Sequence, residues 1–105
     1  MPEPLRYVVL FHDGIERPHF DLMFETAPGS KLATWRSSEW PVSERATLEP
    51  LAEHRREYLA FEGPLSGNRG AVRRVAEGRH RTLEDAPSVL VVELEHGQVI
   101  RLPRQ

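Results

Sequence analysis

Alternation of apolar and polar residues is the main structural signal in this chain, and it is clearest over residues 19–25. Phe20, Leu22 and Phe24 alternate there with mostly polar or charged neighbours. Successive side chains of a β-strand point to opposite faces of the sheet, so this segment is expected to be a strand with one apolar face against a core. The opposite face carries His19, Asp21, Met23 and Glu25.

The same pattern predicts strands along most of the chain. Residues 5–11 are rich in β-branched and aromatic side chains, which favour strands. Shorter segments of similar character follow, bounded by glycine, proline and other turn residues. A tight turn at residues 77–78 is expected between two of them. The further predicted strands are residues 31–36, 58–62, 71–76, 79–83, 88–95 and 98–102.

Two segments depart from the strand pattern. Residues 37–47 have few apolar side chains and are expected to form an irregular surface loop. Residues 48–57 form the only segment with a helical pattern, in which Pro50 fits because proline is tolerated in a first helical turn. We therefore predict one short helix there.

About eight short strands at even spacing indicate an all-β protein. A small closed or half-closed β-barrel of about eight strands with one short helix is the favoured architecture, because closure removes free strand edges. A two-sheet sandwich is the alternative. With 105 residues, the chain is expected to form a single domain over residues 1–105.

Composition narrows the location and the partners. The chain has no cysteine, which excludes disulfides and thiolate metal sites and favours the reducing cytoplasm. No apolar run approaches the roughly 20 residues that span a membrane, and residues 1–4 lack the features of a signal peptide. A cytoplasmic protein without a membrane segment is expected. The formal net charge of -2 argues against bulk coating of nucleic acid but leaves room for a local basic patch.

Two histidines and a carboxylate lie close together around the first predicted turn. His12 precedes this turn, and His19 and Asp21 share the polar face of the second strand. Two imidazoles and one carboxylate on adjacent strands can hold a metal and leave coordination positions open. Such a set suits manganese, iron or zinc. A solvated strand face is the alternative interpretation of the same three residues.

Three sequence blocks occur in the order found in a known enzyme family. They are His12 with His-Phe-Asp-Leu at 19–22, Lys-Leu-Ala-Thr-Trp at 31–35, and His-Arg-Arg-Glu-Tyr-Leu-Ala-Phe-Glu-Gly at 54–63. Together they resemble the 3'-phosphoesterase domain of bacterial DNA ligase D, over residues 5–102. This resemblance implies a compact β-barrel with a groove on one side. It also implies removal of 3'-phosphates and 3'-terminal ribonucleotides from DNA ends during repair, with manganese as the usual metal and zinc or iron as alternatives.

The resemblance assigns roles to individual residues. His54 and Tyr58 match the histidine and tyrosine that bind phosphate and take part in catalysis in that family. Glu25 and Glu62 stand at family glutamates and are expected to orient the metal-binding histidines. A structural alternative is that His54 caps the short helix and that Tyr58 packs as an ordinary strand aromatic. The residues that match the family's metal ligands are His12, His19 and Asp21.

One departure from the family concerns phosphate binding. Met23 stands where the family usually has an arginine that grips the scissile phosphate, and Arg17 or Arg69 are the candidates to replace it. A non-catalytic module that binds DNA ends or a repair complex is therefore the alternative function, and hydrolysis of a small phosphoester is a third. The expected partners are a nucleic-acid 3' end and ligase or polymerase repair proteins.

The two tryptophans and the two histidines outside these blocks are expected to have structural roles. Trp35 and Trp40 are expected to anchor the core and the surface loop. His80 and His96 are expected at the surface, with His96 in a turn.

Overall fold

The computed structural model describes residues 4–104, and their regular structure is almost entirely β. A single 3₁₀ helix, Arg56–Leu59, lies between the fourth and fifth strands. Residues 1–3, which carry most of the argument against a signal peptide, lie outside the described part. The predicted all-β class is confirmed. The strands are β1 (Leu5–Asp13), β2 (His19–Glu25), β3 (Leu32–Ser37), β4 (Leu48–His54), β5 (Gly63–Pro64), β6 (Ala71–Ala86), β7 (Val89–Leu94) and β8 (Val99–Pro103).

All eight strands belong to one antiparallel sheet that is open and strongly curled into a half-barrel. The strand order is β4-β3-β2-β1-β6-β7-β8, and β5 pairs with β6 outside this path. The edge strands β4 and β8 approach each other at the open side. There the indole Nε1 of Trp35 donates a hydrogen bond of 2.6 Å to the Pro103 carbonyl, which ties β3 to the end of β8. The half-closed barrel expected from the sequence is therefore confirmed.

The main hydrophobic core joins β1–β3 to β7 and β8, so it fills the concave face of the curled sheet. Leu22 and Phe24 are fully buried in it and Phe20 packs against it, as the alternation over residues 19–25 predicts. Trp35 is a core residue and Trp40 packs against the core, which confirms their predicted anchoring roles. The buried core residues are Tyr7, Val9, Leu22, Phe24, Trp35, Leu90, Val92, Leu94, Ile100 and Leu102.

The opposite face of β1–β3 is also covered. A second cluster lies there, and the chain segment from the 3₁₀ helix to β6 packs on it through Tyr58, Phe61 and Leu65. The outward face of β2 is therefore not a solvated strand face, because its polar residues lie beside or beneath this covering segment. The buried members of the second cluster are Val8, Leu10, Met23, Leu32, Leu59 and Val72.

Residues 48–57 do not form the predicted helix. Residues 48–54 are the edge strand β4, and helical structure is confined to Arg56–Leu59, which also replaces the predicted strand at 58–62. A short isolated helix is marginally stable, whereas pairing with β3 satisfies backbone groups along the segment. Pro50 is accommodated because an edge strand can present the side without a donor to solvent. Within residues 4–104, no helix has the length and apolar character needed to cross a membrane.

The predicted turn at residues 77–78 is also wrong, because β6 continues through it as one strand of 16 residues. This strand pairs with β1 over its first part and with β7 over its second part. A Cβ added to Gly78 would overlap the Glu95 carboxylate and would lie 3.2 Å from the Tyr7 ring. The glycine therefore serves close packing within a strand rather than a turn.

His80 is buried, contrary to the surface position expected from the sequence. Only 3% of its surface is exposed, and its ring packs edge-on against Phe24 with 5.3 Å between the ring centroids. Its Nε2–H donates a hydrogen bond of 2.9 Å to the Glu25 carbonyl. His96 is exposed in the turn between β7 and β8, as predicted.

The pH dependence of stability is expected to report the burial of His80. Desolvation by burial lowers its pKa below the ordinary value of 6.5. Below about pH 6.5 the unfolded chain takes up a proton that the folded chain still rejects, so the free energy of unfolding falls as the pH is lowered. Urea unfolding between about pH 7 and about pH 5 should show this decline, and His80→Phe should flatten it. His96→Gln is the matched control and should keep the wild-type slope. Equal slopes in the wild type and His80→Phe would contradict this account.

Candidate metal centre

Pairing of β1 with β2 brings together the two histidines that were predicted to bind metal. His12, near the end of β1, is the direct antiparallel partner of His19, the first residue of β2. Their ring centroids are 5.0 Å apart. Asp21 follows His19 by two residues and therefore points to the same face of the sheet. All three side chains lie on the face that carries the second hydrophobic cluster, at one end of the strands.

These three side chains form a group that could hold a metal ion. One ligand atom from each of His12, His19 and Asp21 lies within 4.8 Å of the others. The Nδ1 atom of His12 is 3.7 Å from one carboxylate oxygen of Asp21, and the Nε2 atom of His19 is 3.2 Å from the other. His19 and Asp21 are buried, whereas His12 remains half-buried. The predicted convergence of the three residues is confirmed.

Backbone carbonyls fix the proton positions on both imidazoles. The Nε2 atom of His12 lies 2.6 Å from the Arg69 carbonyl oxygen, and the Nδ1 atom of His19 lies 2.9 Å from the Arg17 carbonyl oxygen. A carbonyl only accepts hydrogen bonds, so these two nitrogens carry the protons. In a neutral ring the other nitrogen then bears a lone pair, and in both rings that nitrogen is the one facing Asp21. Metal-binding histidines characteristically have this arrangement.

The Asp21 carboxylate lacks the donors that a buried charge needs. Within residues 4–104, its Oδ1 atom is buried and has no hydrogen-bond partner. Desolvation by burial raises its pKa; the charge of Arg36 opposes this rise, and His19, His12 and His54 would oppose it when protonated. A carboxylate that faces two lone pairs in a buried site is unfavourable without a cation. The donor set therefore fits a bound divalent metal.

His54 and Tyr58, the predicted phosphate-binding pair, contact each other beside this centre. His54 ends β4, Tyr58 lies in the 3₁₀ helix, and their rings meet edge-on with 5.6 Å between centroids. The Nδ1–H of His54 donates to the Ala52 carbonyl at 2.9 Å. His54 is also close enough to lower the pKa of Asp21 when its ring is protonated. His54 does not cap the predicted helix, because that helix is absent, and the anion-binding role of the pair stays a prediction.

The two arginines predicted to bind phosphate contribute their carbonyls to the centre. These carbonyls are the ones that accept hydrogen bonds from the two metal-site histidines. The guanidinium of Arg69 folds back on its own turn and donates to the carbonyl and hydroxyl of Ser66 at 2.8 and 3.0 Å. The side chain of Arg17 is exposed. Phosphate binding by either guanidinium stays a prediction.

Glu25 does not orient either histidine. It lies four residues along β2 from Asp21, about 13 Å at the rise of a strand. Its carboxylate accepts hydrogen bonds from the Arg56 guanidinium at 2.6 Å and from the Arg6 amide at 2.7 Å. Burial alone would raise the pKa of Glu25, but these donors lower it below its usual value. Glu25 therefore anchors Arg56 and the covering segment to the sheet.

Glu62 is likewise engaged elsewhere. Its two carboxylate oxygens accept from the backbone amide and the guanidinium of Arg74, at 2.9 and 3.0 Å. The expected orienting role of Glu25 and Glu62 is thus taken by the carbonyls of Arg17 and Arg69.

Arg36 is the neighbour of the metal centre that sequence reasoning missed. It is the direct partner of Asp21 in the pairing of β2 with β3, so both side chains lie on one face, with Cβ atoms about 5 Å apart. Its side chain is 46% exposed, and among the described residues its one ion-pair contact is a long one, 4.0 Å to Glu49. Counting across the turn from the Glu25–Leu32 pair would have located it, but the register of that hairpin is not evident from the sequence.

Met23 lies inside the second hydrophobic cluster with 1% of its surface exposed. Position 23, where the resemblance predicts a phosphate-binding arginine, is therefore buried in this chain. A guanidinium there would be buried among apolar side chains, which is unfavourable without a partner.

Comparison with known proteins does not place the chain in a family. No protein-family model matches it. A search of curated proteins gives no significant match.

Replacement of Asp21 by asparagine tests whether Asp21 is a metal ligand or a member of a structural polar cluster. In the absence of metal, Asp21→Asn is expected to be at least as stable as the wild type, because a neutral amide replaces a buried carboxylate and can donate to His19 Nε2. The wild type should gain about 2.7 kcal/mol at a metal concentration 100 times its dissociation constant, whereas the variant should gain little. Thermal unfolding in chelator and in manganese or zinc measures both effects.

Asp13→Asn changes an exposed carboxylate next to His12 and is the matched control for this experiment. It should keep the wild-type response to metal. Marked destabilisation of metal-free Asp21→Asn, with no metal response in the wild type, would indicate a structural cluster instead.

Proposed function

We propose that this protein is a metal-dependent phosphoesterase-like domain that acts on 3' ends of nucleic acid in DNA repair. Its reaction would be removal of a 3'-phosphate or of a 3'-terminal ribonucleotide. The observation that carries the proposal is the convergence of two imidazole lone pairs and, within residues 4–104, an unpartnered carboxylate oxygen, beside the exposed guanidinium of Arg36. The ordered resemblance of three blocks to the ligase D phosphoesterase domain supports the choice of substrate.

The proposed ligands are Nδ1 of His12, Nε2 of His19 and the carboxylate of Asp21. Manganese is the proposed metal, following the resemblance, and zinc or iron are the alternatives that the same ligand set suits. When bound, a divalent metal supplies polarisation of a phosphoryl oxygen. The two ring N–H groups, held by carbonyls, keep the imidazoles oriented as ligands.

Three further side chains would meet the charge of the phosphoryl group. The half-exposed guanidinium of Arg36 offers a planar fork suited to phosphate oxygens. The Nε2 atom of His54 is left for the substrate, because its Nδ1 donates to a carbonyl, and it becomes a donor when the ring is protonated. The Tyr58 hydroxyl is a further donor in this pair. Donors placed where charge develops lower the barrier of such reactions.

A module that binds a DNA end or a repair complex without cutting is the second candidate. Met23 favours it, because the phosphate-gripping arginine of the family is replaced here by a buried apolar side chain. The same metal centre could then serve recognition of a terminal phosphate.

Turnover of defined DNA ends tests the proposal directly. Purified protein with manganese is expected to release phosphate from a 3'-phosphorylated primer or the terminal nucleotide from a primer ending in a ribonucleotide. His12→Ala and Asp21→Asn should abolish this activity because each removes a metal ligand, and His96→Ala should retain it. Metal binding without turnover of either primer or of a panel of small phosphoesters would eliminate the enzyme and leave the binding module.

Arg36→Ala is expected to lower kcat/KM about a hundredfold, comparable to loss of one donor to a developing oxyanion. Its affinity for manganese should stay near that of the wild type, because Arg36 is not a ligand. Arg36→Lys should restore part of the activity, since it keeps the charge but not the fork. Arg101→Ala removes an exposed arginine on β8 and serves as the matched control. Unchanged kinetics in Arg36→Ala would remove Arg36 from phosphate binding.

A further inference from the structure

Two loops that hold the metal-site histidines touch each other at a pair of glycines. The first loop, residues 14–18, joins β1 to β2 and supplies the Arg17 carbonyl. The second, residues 65–70, precedes β6 and supplies the Arg69 carbonyl. Gly14 and Gly70 meet between them, with φ angles of +73° and +79°. A Cβ on Gly14 would lie 3.2 Å from the Gly70 Cα, and one on Gly70 would overlap the Asp13 carbonyl oxygen.

The second loop is braced so that the Arg69 carbonyl faces His12. The amide of Leu65 donates to the Gly70 carbonyl at 2.8 Å and closes the loop. The Arg69 guanidinium donates to both oxygens of Ser66, which holds the same loop from within. The contact with Gly14 then sets how closely the closed loop approaches β1. The Arg69 carbonyl therefore reaches His12 Nε2 at 2.6 Å from a part of the chain 57 residues away.

We propose that the Gly14–Gly70 contact is a positioning device for the metal centre. By seating the second loop on the first, it holds the Arg69 carbonyl at His12 Nε2 and so directs the His12 Nδ1 lone pair toward Asp21. Metal affinity then depends on two residues that touch neither the ligands' donor atoms nor the metal. This inference rests on the proposed metal centre and adds to it the loop contact that would tune its affinity.

Alanine at Gly14 or Gly70 would push the two loops apart, because its Cβ would contact the backbone on the opposite side. Gly70→Ala forces the larger displacement, because its Cβ meets backbone that cannot rotate away. Gly14→Ala requires a smaller shift and acts on the same contact from the opposite side. Gly29→Ala is the matched control: Gly29 has a φ of +80°, nearly that of Gly70, and nothing lies within 4 Å of an added Cβ. All three variants carry the strain of a positive φ, but only two disturb the contact.

Manganese titration by calorimetry, with thermal unfolding in chelator, tests the device on the intact chain. Gly70→Ala is expected to bind manganese about tenfold to a hundredfold more weakly than the wild type, as for loss of an orienting partner. Gly14→Ala should show a smaller loss. Gly29→Ala should bind as the wild type does, even where its thermal stability is lower.

A spectroscopic readout distinguishes positioning from a general loss of stability. In metal-free protein the His12 Nε2–H should give a protected ring N–H signal in nitrogen-resolved NMR, because it is hydrogen-bonded to a carbonyl. This signal should be lost or exchange rapidly in Gly70→Ala and persist in Gly29→Ala.

The outcomes separate the two proposals. Absence of manganese, zinc or iron binding by the wild type overturns the metal centre itself. Binding by the wild type with equal affinity in folded Gly70→Ala overturns the positioning role alone. If Gly70→Ala does not fold, Gly14→Ala decides, and wild-type affinity together with a retained His12 signal in that variant overturns the inference.

Discussion

The register between β1 and β2 is the constraint on which the rest of the site depends. It is strongly specified because β2 is buried on both faces, with Leu22 and Phe24 in the main core and Met23 in the second cluster. A slip of one residue would exchange these faces and place every core side chain on the wrong side. The same register makes His12 the partner of His19. Packing of apolar residues therefore fixes the distance between two imidazoles without any direct bond between them.

The candidate metal centre places a buried carboxylate against two imidazole lone pairs, an arrangement that is unfavourable without a cation and that packing of the fold does not require. In the described part of the chain, Asp21 is buried with one oxygen that has no hydrogen-bond partner. The ring nitrogens that face it carry no proton, because the proton of each ring is on the nitrogen that donates to a carbonyl. A structural polar cluster would be expected to satisfy its donors and acceptors. Unsatisfied and pKa-shifted groups concentrate instead where a ligand is to be bound. This contrast, more than the presence of histidine and aspartate, distinguishes the centre from a solvated strand face.

Local periodicity allowed the sequence to predict part of this structure and not the rest. The alternation over residues 19–25 assigned the two faces of β2 correctly, because neighbouring residues of a strand point to opposite faces whatever the rest of the fold. The position of Arg36 beside Asp21 could not be predicted, since it follows from the register of β3 rather than from any neighbour in sequence. The helix predicted for residues 48–57 is wrong because residues 48–54 pair with the free edge of β3, and that edge is a tertiary feature. Burial of His80 likewise depends on strands distant in the chain.

The covering segment between β4 and β6 links the second cluster to the proposed chemistry. Its Leu59 is buried against Met23 and other apolar residues of the sheet, and the same segment supplies Tyr58 and the Arg69 carbonyl. An arginine at position 23 would weaken the apolar contact that keeps this segment in place. In the proposed function, the cation for phosphate is instead available from Arg36 on the adjacent strand, outside the cluster. In this proposal Met23 on β2 holds the covering segment through apolar contacts, and Arg36 on β3 binds the phosphate. Because the two roles belong to neighbouring strands, the cation does not disrupt the apolar cluster.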